Sequence, residues 1–206
     1  MKLVLASNNP GKAREIEALL SPLGVSLTAQ SFYYVPTVAE TGLTFVENAI
    51  LKARNASAHT SLPAIADDSG LEVDALHGAP GIRSARFAGD DADDASNNQR
   101  LLDELCDIPA DERSARFHCV VVCLRHPEDP TPLICQGRWE GTVLEAPRGA
   151  QGFGYDPLFF VPELGCTAAE LDAATKNHYS HRARALECLR EQLSVGLPGK
   201  LDESHR

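Results

Sequence analysis

The opening of the chain commits it to alternating strands and helices. Lys2–Ala6 (Lys-Leu-Val-Leu-Ala) is an apolar run of strand length that stops at Ser7-Asn8-Asn9-Pro10. Asn9 is a good helix N-cap, and Pro10 suits the first helical position, where a missing N–H costs nothing. Ile16, Leu19 and Leu20 then recur on one helical face, and a second strand is expected around Val25–Ala29.

The same alternation continues downstream. Thr44–His59 reads as a helix with Phe45, Val46, Ala49, Ile50, Ala53 and Ala56 on one side. Ala64-Ile65-Ala66 is strand-like and runs into Asp67-Asp68-Ser69-Gly70, where Gly70 suits a tight turn; Leu71–Val73 is a short strand and Gly78-Ala79-Pro80-Gly81 a loop. Asp90–Asp94 resembles a calcium loop only superficially, because Ala95 and Ser96 occupy the places of a ligand and the glycine. It is better read as the acidic start of a helix over Ala95–Cys106. Ala115–Arg125 and Leu133–Leu144 are long strands joined through Pro127 and Pro130, expected to pair antiparallel, with bends or bulges at Gly137 and Gly141. Ser180 caps a last helix reaching about Leu193. The order predicts an α/β fold: a mixed central sheet with flanking helices, one domain over residues 1–206 in two lobes around a cleft, and a polar tail from about residue 197.

Composition narrows the function. A net charge of −10 argues against a general nucleic-acid binder, which needs a basic face. No apolar run approaches the roughly 20 residues needed to cross a bilayer. A strand beginning at residue 2 leaves no room for a signal peptide, so a cytoplasmic location is expected. Cys106, Cys119, Cys123, Cys135, Cys166 and Cys188 form no Cys-x-x-Cys pair, which favours reduced, mostly buried thiols over a zinc site.

Five blocks carry chemistry. Two adjacent carboxylates, Asp67 and Asp68, held by a strand can ligate a hard cation or accept a proton from water; the same four residues are also an ordinary turn. Ser7 to Lys12 lies between a strand and a helix start, where free N–H groups and the dipole favour an anion, or where a plain capped turn carries a surface lysine. It is not a Walker A loop, since Ala6 and Ala13 replace the first glycine and the Ser/Thr. Glu40 precedes the second helix and, paired with Asp68, can complete a carboxylate clamp for Mg²⁺, with Lys52 within reach of the same phosphates; taken singly, each reads more simply as a solvated surface charge. Gly152-Phe153-Gly154-Tyr155-Asp156-Pro157 leaves the Phe153 ring accessible for stacking on a base. Lys12, Lys176 and Arg182 near helix starts oppose the macrodipole, which a ligand anion or carbonyl would relieve.

In this order the blocks resemble the family of noncanonical purine nucleoside triphosphate pyrophosphatases, the inosine/xanthosine triphosphatases. The carrying segments are Ser7–Lys12, Glu40–Phe45, Ala66–Leu71, Gly78–Ile82, Phe153–Pro157, and Lys176-Asn177 with Ser180-His181-Arg182, spanning Ser7 to about Leu186. The resemblance implies a two-lobed fold with a strongly twisted sheet, and Mg²⁺-dependent hydrolysis of a purine triphosphate to monophosphate and pyrophosphate by a homodimer. It implies that Asp68 activates water and binds metal, with Glu40 as the second ligand. Ser7, Asn8, Asn9, Pro10, Gly11 and Lys12, with Ser69 and Lys176, would hold phosphates and sugar. Phe153, Gly154, Tyr155 and Asp156, with His181 and Arg182, would hold the base. Thr175 departs from the family pattern, which often has an acid before the Lys-Asn pair. The rivals are a pyrophosphatase of different base specificity, a non-catalytic nucleotide-binding module, for which Asp68 would be superfluous, and a phosphotransferase.

Overall fold

The protein is described here by a computed structural model covering residues 2–194. The expected polar tail lies outside the described residues. Seven strands form one sheet: β1 (Lys2–Leu5), β2 (Ser26–Ala29), β3 (Ala64–Val73), β4 (Ser114–Leu124), β5 (Leu133–Val143), β6 (Phe159–Val161) and β7 (Cys166–Thr167), in spatial order β2-β1-β3-β4-β5-β6-β7. β1 pairs parallel with both β2 and β3, and every later pairing is antiparallel. The helices are α1 (Pro10–Leu20), α2 (Phe45–Thr60), α3 (Asp94–Glu104), α4 (Ala173–Tyr179) and α5 (His181–Ser194).

Local chemistry sets these boundaries. Asn9 accepts from the Gly11 and Lys12 N–H groups and so starts α1, with Pro10 first in the helix. Thr44 caps α2 by accepting from Glu47 N. Asp93 and Ser96 form a capping box that starts α3 one residue before the expected position. The two faces of the sheet then fill separately. Ala64, Ala66, Val120 and Val122 pack with Ala49 and Ala53 of α2. Ile65, Cys119, Val121 and Cys135 pack with Ile16 of α1 and Leu186 and Leu189 of α5. A third cluster gathers Trp139, Phe117, Phe159 and Leu71 toward the far end of the long hairpin.

Three expectations are corrected. Asp67-Asp68-Ser69-Gly70 is not a turn at a strand end: it lies inside the unbroken ten-residue β3, which absorbs the short strand expected at Leu71–Val73. Gly70 serves close approach instead, since a Cβ there would lie 2.3 Å from the Gly81 carbonyl oxygen. Gly137 and Gly141 make no bulge, because the β4–β5 register runs unbroken from Ser114↔Thr142 to Cys123↔Leu133. A Cβ on Gly137 would sit 2.0 Å from the His181 carbonyl, so this glycine lets α5 lie flat on the sheet. Lys176 belongs to a separate short helix, α4; Ser180 both ends it and caps α5 by accepting from Ala183 N (3.2 Å). The cysteines are free: Cys119, Cys123 and Cys135 are buried, Cys106 is exposed.

Candidate active site

The β1–β3 ladder has two residue pairs, Val4↔Ala64 and Leu5↔Ile65, whereas the β3–β4 ladder runs from Ala64 to Val73. β1 therefore ends while β3 continues, and the chain leaves β1 through Ser7–Asn9 into α1. This fork at the carboxyl end of β1, with α1 on one face and α2 on the other, is where α/β sheets leave room for a ligand. Asp67 to Gly70 form its far wall. Because strand side chains alternate, Asp67 and Ser69 point to the α1/α5 face and Asp68 to the α2 face.

On the α2 face, Lys52 Nζ lies 2.7 Å from Asp68 Oδ1 and 2.9 Å from Glu40 Oε1. Arg86, at the end of the turn Gly81–Arg86, donates to the other Glu40 oxygen at 2.9 Å. Asn48 bridges the two carboxylate segments: it accepts from Gly42 N (2.9 Å) and donates to Asp68 Oδ2 (3.4 Å). Burial raises the Glu40 carboxyl, but Lys52 and Arg86 outweigh it and hold the group below its ordinary value. At Asp68 burial wins over Lys52 and Lys12, and the carboxyl is pushed up. Burial pushes the Lys52 ammonium down, yet Asp68, Asp67 and Glu40 together raise it.

On the α1/α5 face, Asp67 Oδ2 takes Lys12 Nζ (3.1 Å) and Arg182 NH2 (3.1 Å). Burial opposes its charge, but Lys12, Arg182 and Lys52 hold it well below the carboxylate range. Arg182, only 1% exposed, also donates to Ser69 Oγ (3.0 Å) and to Glu15. Lys176 Nζ binds Asp156 (2.5 Å) and Glu15 (3.0 Å). Burial raises the Asp156 carboxyl against Lys176. His181 is buried and stacked on Phe117 at 4.7 Å; burial and the neighbouring Arg182 and Lys176 keep the imidazole neutral.

Asp68, Ser69, Glu40, Asn9, Lys12, Phe153, Gly154, Tyr155, Asp156, Lys176, His181 and Arg182 all line one cleft of about 140 Å³. Ser7, Asn8, Pro10 and Gly11 do not line it. Ser7 Oγ accepts from Asn9 N, and Asn8 is turned to Gln30 (3.0 Å). Phe153 is less open than its flanking glycines suggest: it is half-buried, a Cβ on Gly11 would touch it at 2.7 Å, and Lys176 Nζ lies 4.8 Å from its centroid. Arg182 has its guanidinium already committed to carboxylates rather than free for a base. Thr175 is tied to the α4 cap by Asp172 (2.8 Å), clear of the cleft lining. A larger groove of about 520 Å³ between α1, α4 and α5 holds none of these carboxylates, and the convergence of charge decides for the smaller cleft.

Sequence reasoning did not single out Glu15, Asn48, Arg86, Asp94 or Asn98. Glu15 left a signal, standing as an acid in the stripe of α1 that includes Ile16 and Leu19. The others are polar residues whose partners lie far along the chain. Among the described residues no three His, Cys, Asp or Glu side chains converge as a metal cage. Glu40 and Asp68 nevertheless offer hard oxygens that already share one positive charge, which suits a cation completing its shell with phosphates and water.

Known proteins with this arrangement agree in sequence and in fold. The dITP/XTP pyrophosphatase of Vibrio cholerae serotype O1 is 58% identical over 188 residues, covering 91% of this chain and 94% of that protein. The dITP/XTP pyrophosphatase of Escherichia coli (strain K12) is 57% identical over 195 residues, 95% of this chain and 99% of that protein. A HAM1 protein from Coxiella burnetii superposes with a TM-score of 0.88 at 50% identity, and the Staphylococcus aureus Ham1 protein with 0.83 at 37%; each comparison covers 95% of this chain and 99% of the other. The match extends over residues 3–192, from the first strand through the last helix, and so includes every cleft residue described above: the chain belongs to the Ham1 family.

Proposed function

We propose that this protein hydrolyses noncanonical purine nucleoside triphosphates, those of inosine, deoxyinosine and xanthosine, to the monophosphate and pyrophosphate. The observation that carries the reading is the mostly buried Asp68, paired with Lys52 and through it with Glu40 at the fork and pushed up by burial, in a chain 57–58% identical to dITP/XTP pyrophosphatases. Asp68 accepts the proton of the water that attacks the α-phosphorus. Its desolvation makes it a better base than an exposed aspartate. Lys12 and Lys52 lie on either side of the Asp67–Asp68 pair and supply positive charge to the phosphates, exchanging their carboxylate partners for phosphate oxygens. Phe153, His181 and Arg182 form the base end, where Arg182 would give up one of its carboxylate contacts to donate to the base. A C6 carbonyl accepts from donors there, whereas the amino group of adenine cannot.

Glu40 and Asp68 would hold Mg²⁺, which when bound neutralises charge developing on the leaving pyrophosphate. The resemblance also supports a homodimer, and the six free thiols suit a reducing, cytoplasmic compartment. The reading is tested by measuring pyrophosphate release over a panel of nucleoside triphosphates, with and without Mg²⁺. Release from inosine and xanthosine triphosphates well above adenosine triphosphate, and only with the metal, is expected. Diphosphate plus free phosphate as products would place the chemistry at the γ-phosphorus and end it.

A further inference from the structure

The turn that carries Phe153 is held from outside at both backbone poles of a single residue. Gly154 donates its N–H to Asp94 Oδ2 (2.6 Å), and its carbonyl accepts from Asn98 Nδ2 (2.7 Å). Both side chains come from the first two turns of α3, four residues apart and therefore on one side of the helix. Asn98 is braced in turn by the Asp94 carbonyl (2.6 Å). The adjacent Asn97, buried, accepts from Ala88 N (2.8 Å) and donates to the Ala85 carbonyl (3.1 Å). The Tyr155 hydroxyl closes the bracket by donating to the Ser84 carbonyl (2.8 Å). One helix thus ties together two loops that wall the cleft, and Asp94 and Asn97 themselves line it.

Helix formation does not require these bonds, since Asp93 and Ser96 already cap α3. Gly154 does need them. At φ 63° it occupies a region that glycine enters at little cost and leaves as easily, so its two peptide planes are set by whatever grips them. Phe153 precedes it directly, and on its other side the Phe153 N–H is fixed by Asp156 Oδ2 (2.9 Å).

We infer that Asp94 and Asn98 are positioning residues for nucleobase recognition: by holding Gly154 at its N–H and its carbonyl, they set the plane that the Phe153 ring offers to the purine. This rests on the function proposed above. It assigns α3 to the base end of the cleft and leaves the phosphate end to Lys12, Lys52 and Asp68.

Steady-state kinetics with inosine triphosphate, using inorganic tripolyphosphate as an inhibitor that engages the phosphate end alone, separates the two ends. Asp94→Ala should raise KM for inosine triphosphate roughly 5- to 10-fold, the scale of one ordinary hydrogen bond because the effect reaches the base only through Gly154, with kcat within about twofold and tripolyphosphate inhibition unchanged. Asn98→Ala should act alike. Asp94→Asn keeps a carbonyl acceptor for the Gly154 N–H and should recover most of the loss; it also serves as the folded control by thermal melting. An unmoved KM, a parallel loss of tripolyphosphate inhibition, or no difference between Asn and Ala at position 94 overturns the inference. A wild-type protein that releases no pyrophosphate from inosine triphosphate overturns the proposed function and this inference together. An active wild type with an unmoved Asp94→Ala overturns the inference alone.

Discussion

On the α1/α5 face of β3, Asp67 meets Lys12 and Arg182; on the α2 face, one residue later, Asp68 meets Lys52 and through it Glu40. Both carboxylates are buried, so burial pushes both up by the same mechanism. The outcome is opposite because Asp67 has three cations in range, two of them in direct contact, while Asp68 shares its one contacting lysine with Glu40. A strand is what permits this: its two-residue period sends adjacent acids into separate electrostatic surroundings. The pair divides into a charge that holds two elements to the sheet and a charge that burial leaves easier to protonate.

The comparison can be broken most forcefully at Asp68. Asp68→Asn is nearly isosteric and should lower kcat by about 10²–10⁴-fold, while stability changes by less than about 1 kcal/mol, since the buried charge it removes was already disfavoured. Turnover within threefold of wild type would strip Asp68 of its role. Asp67→Asn should show the reverse emphasis. It leaves the buried Arg182 and the partly buried Lys12 short of a counter-charge, a change expected to cost about 3–5 kcal/mol in urea unfolding. A cost below about 1 kcal/mol would mean that Asp67 is not the clamp.

Acid titration sharpens the contrast, because the two groups have opposite signs. The folded-state pKa of Asp67 lies below its ordinary 3.8, so its contribution to stability is present above that value and is lost as pH falls below it. Asp68 lies above 3.8 when folded, so its buried charge costs stability above the raised value, and protonation relieves that cost as pH falls through it toward 3.8. Between about pH 5 and 3 the urea midpoint of Asp67→Asn should therefore fall less than that of wild type, and the midpoint of Asp68→Asn should fall more. Parallel curves for all three proteins would refute the assignment. The smallest effect is expected at Lys12, which is partly exposed: Lys12→Met should cost only about 1 kcal/mol of stability, because Arg182 still pairs with Asp67. A loss as large as that of Asp67→Asn would move the clamp from Arg182 to Lys12.

Much of the fold was legible because its signals are local. Asn9-Pro10 announced α1, Thr44 announced α2, and the apolar runs of β4 and β5 announced the hairpin. The polar stretch Asp67–Gly70 disguised the middle of β3 as a turn, since buried acids belong in a strand only when distant cations pair with them. The same distance hid half of the site. Lys12, Lys176 and Arg182 were visible as charges near helix starts, but each is answered by a carboxylate far along the chain. Arg182 and Asp67 are separated by 115 residues, and Glu15 and Arg182 by 167. Gly137 left no bulge because its reason is contact with α5 rather than anything in β5.

The fork between β1 and β3 gives the cleft a wall that side-chain substitution cannot erase. Ile65 spends its carbonyl on Ala6 N (2.8 Å) and Leu71 its N–H on Ser84 Oγ (2.9 Å), both on the side away from β4. The pleat repeats every two residues, so the peptide groups of Asp67 and Ser69, between them in phase, turn toward the same opening. Main-chain donors and acceptors there face the fork whatever residues occupy these positions, and proline alone would remove an N–H. Slower hydrogen–deuterium exchange at the Ser69 amide when nucleotide is added would register that wall directly, and unchanged exchange would place the ligand elsewhere. A site built partly of peptide bonds inherits its permanence from the strand that carries it.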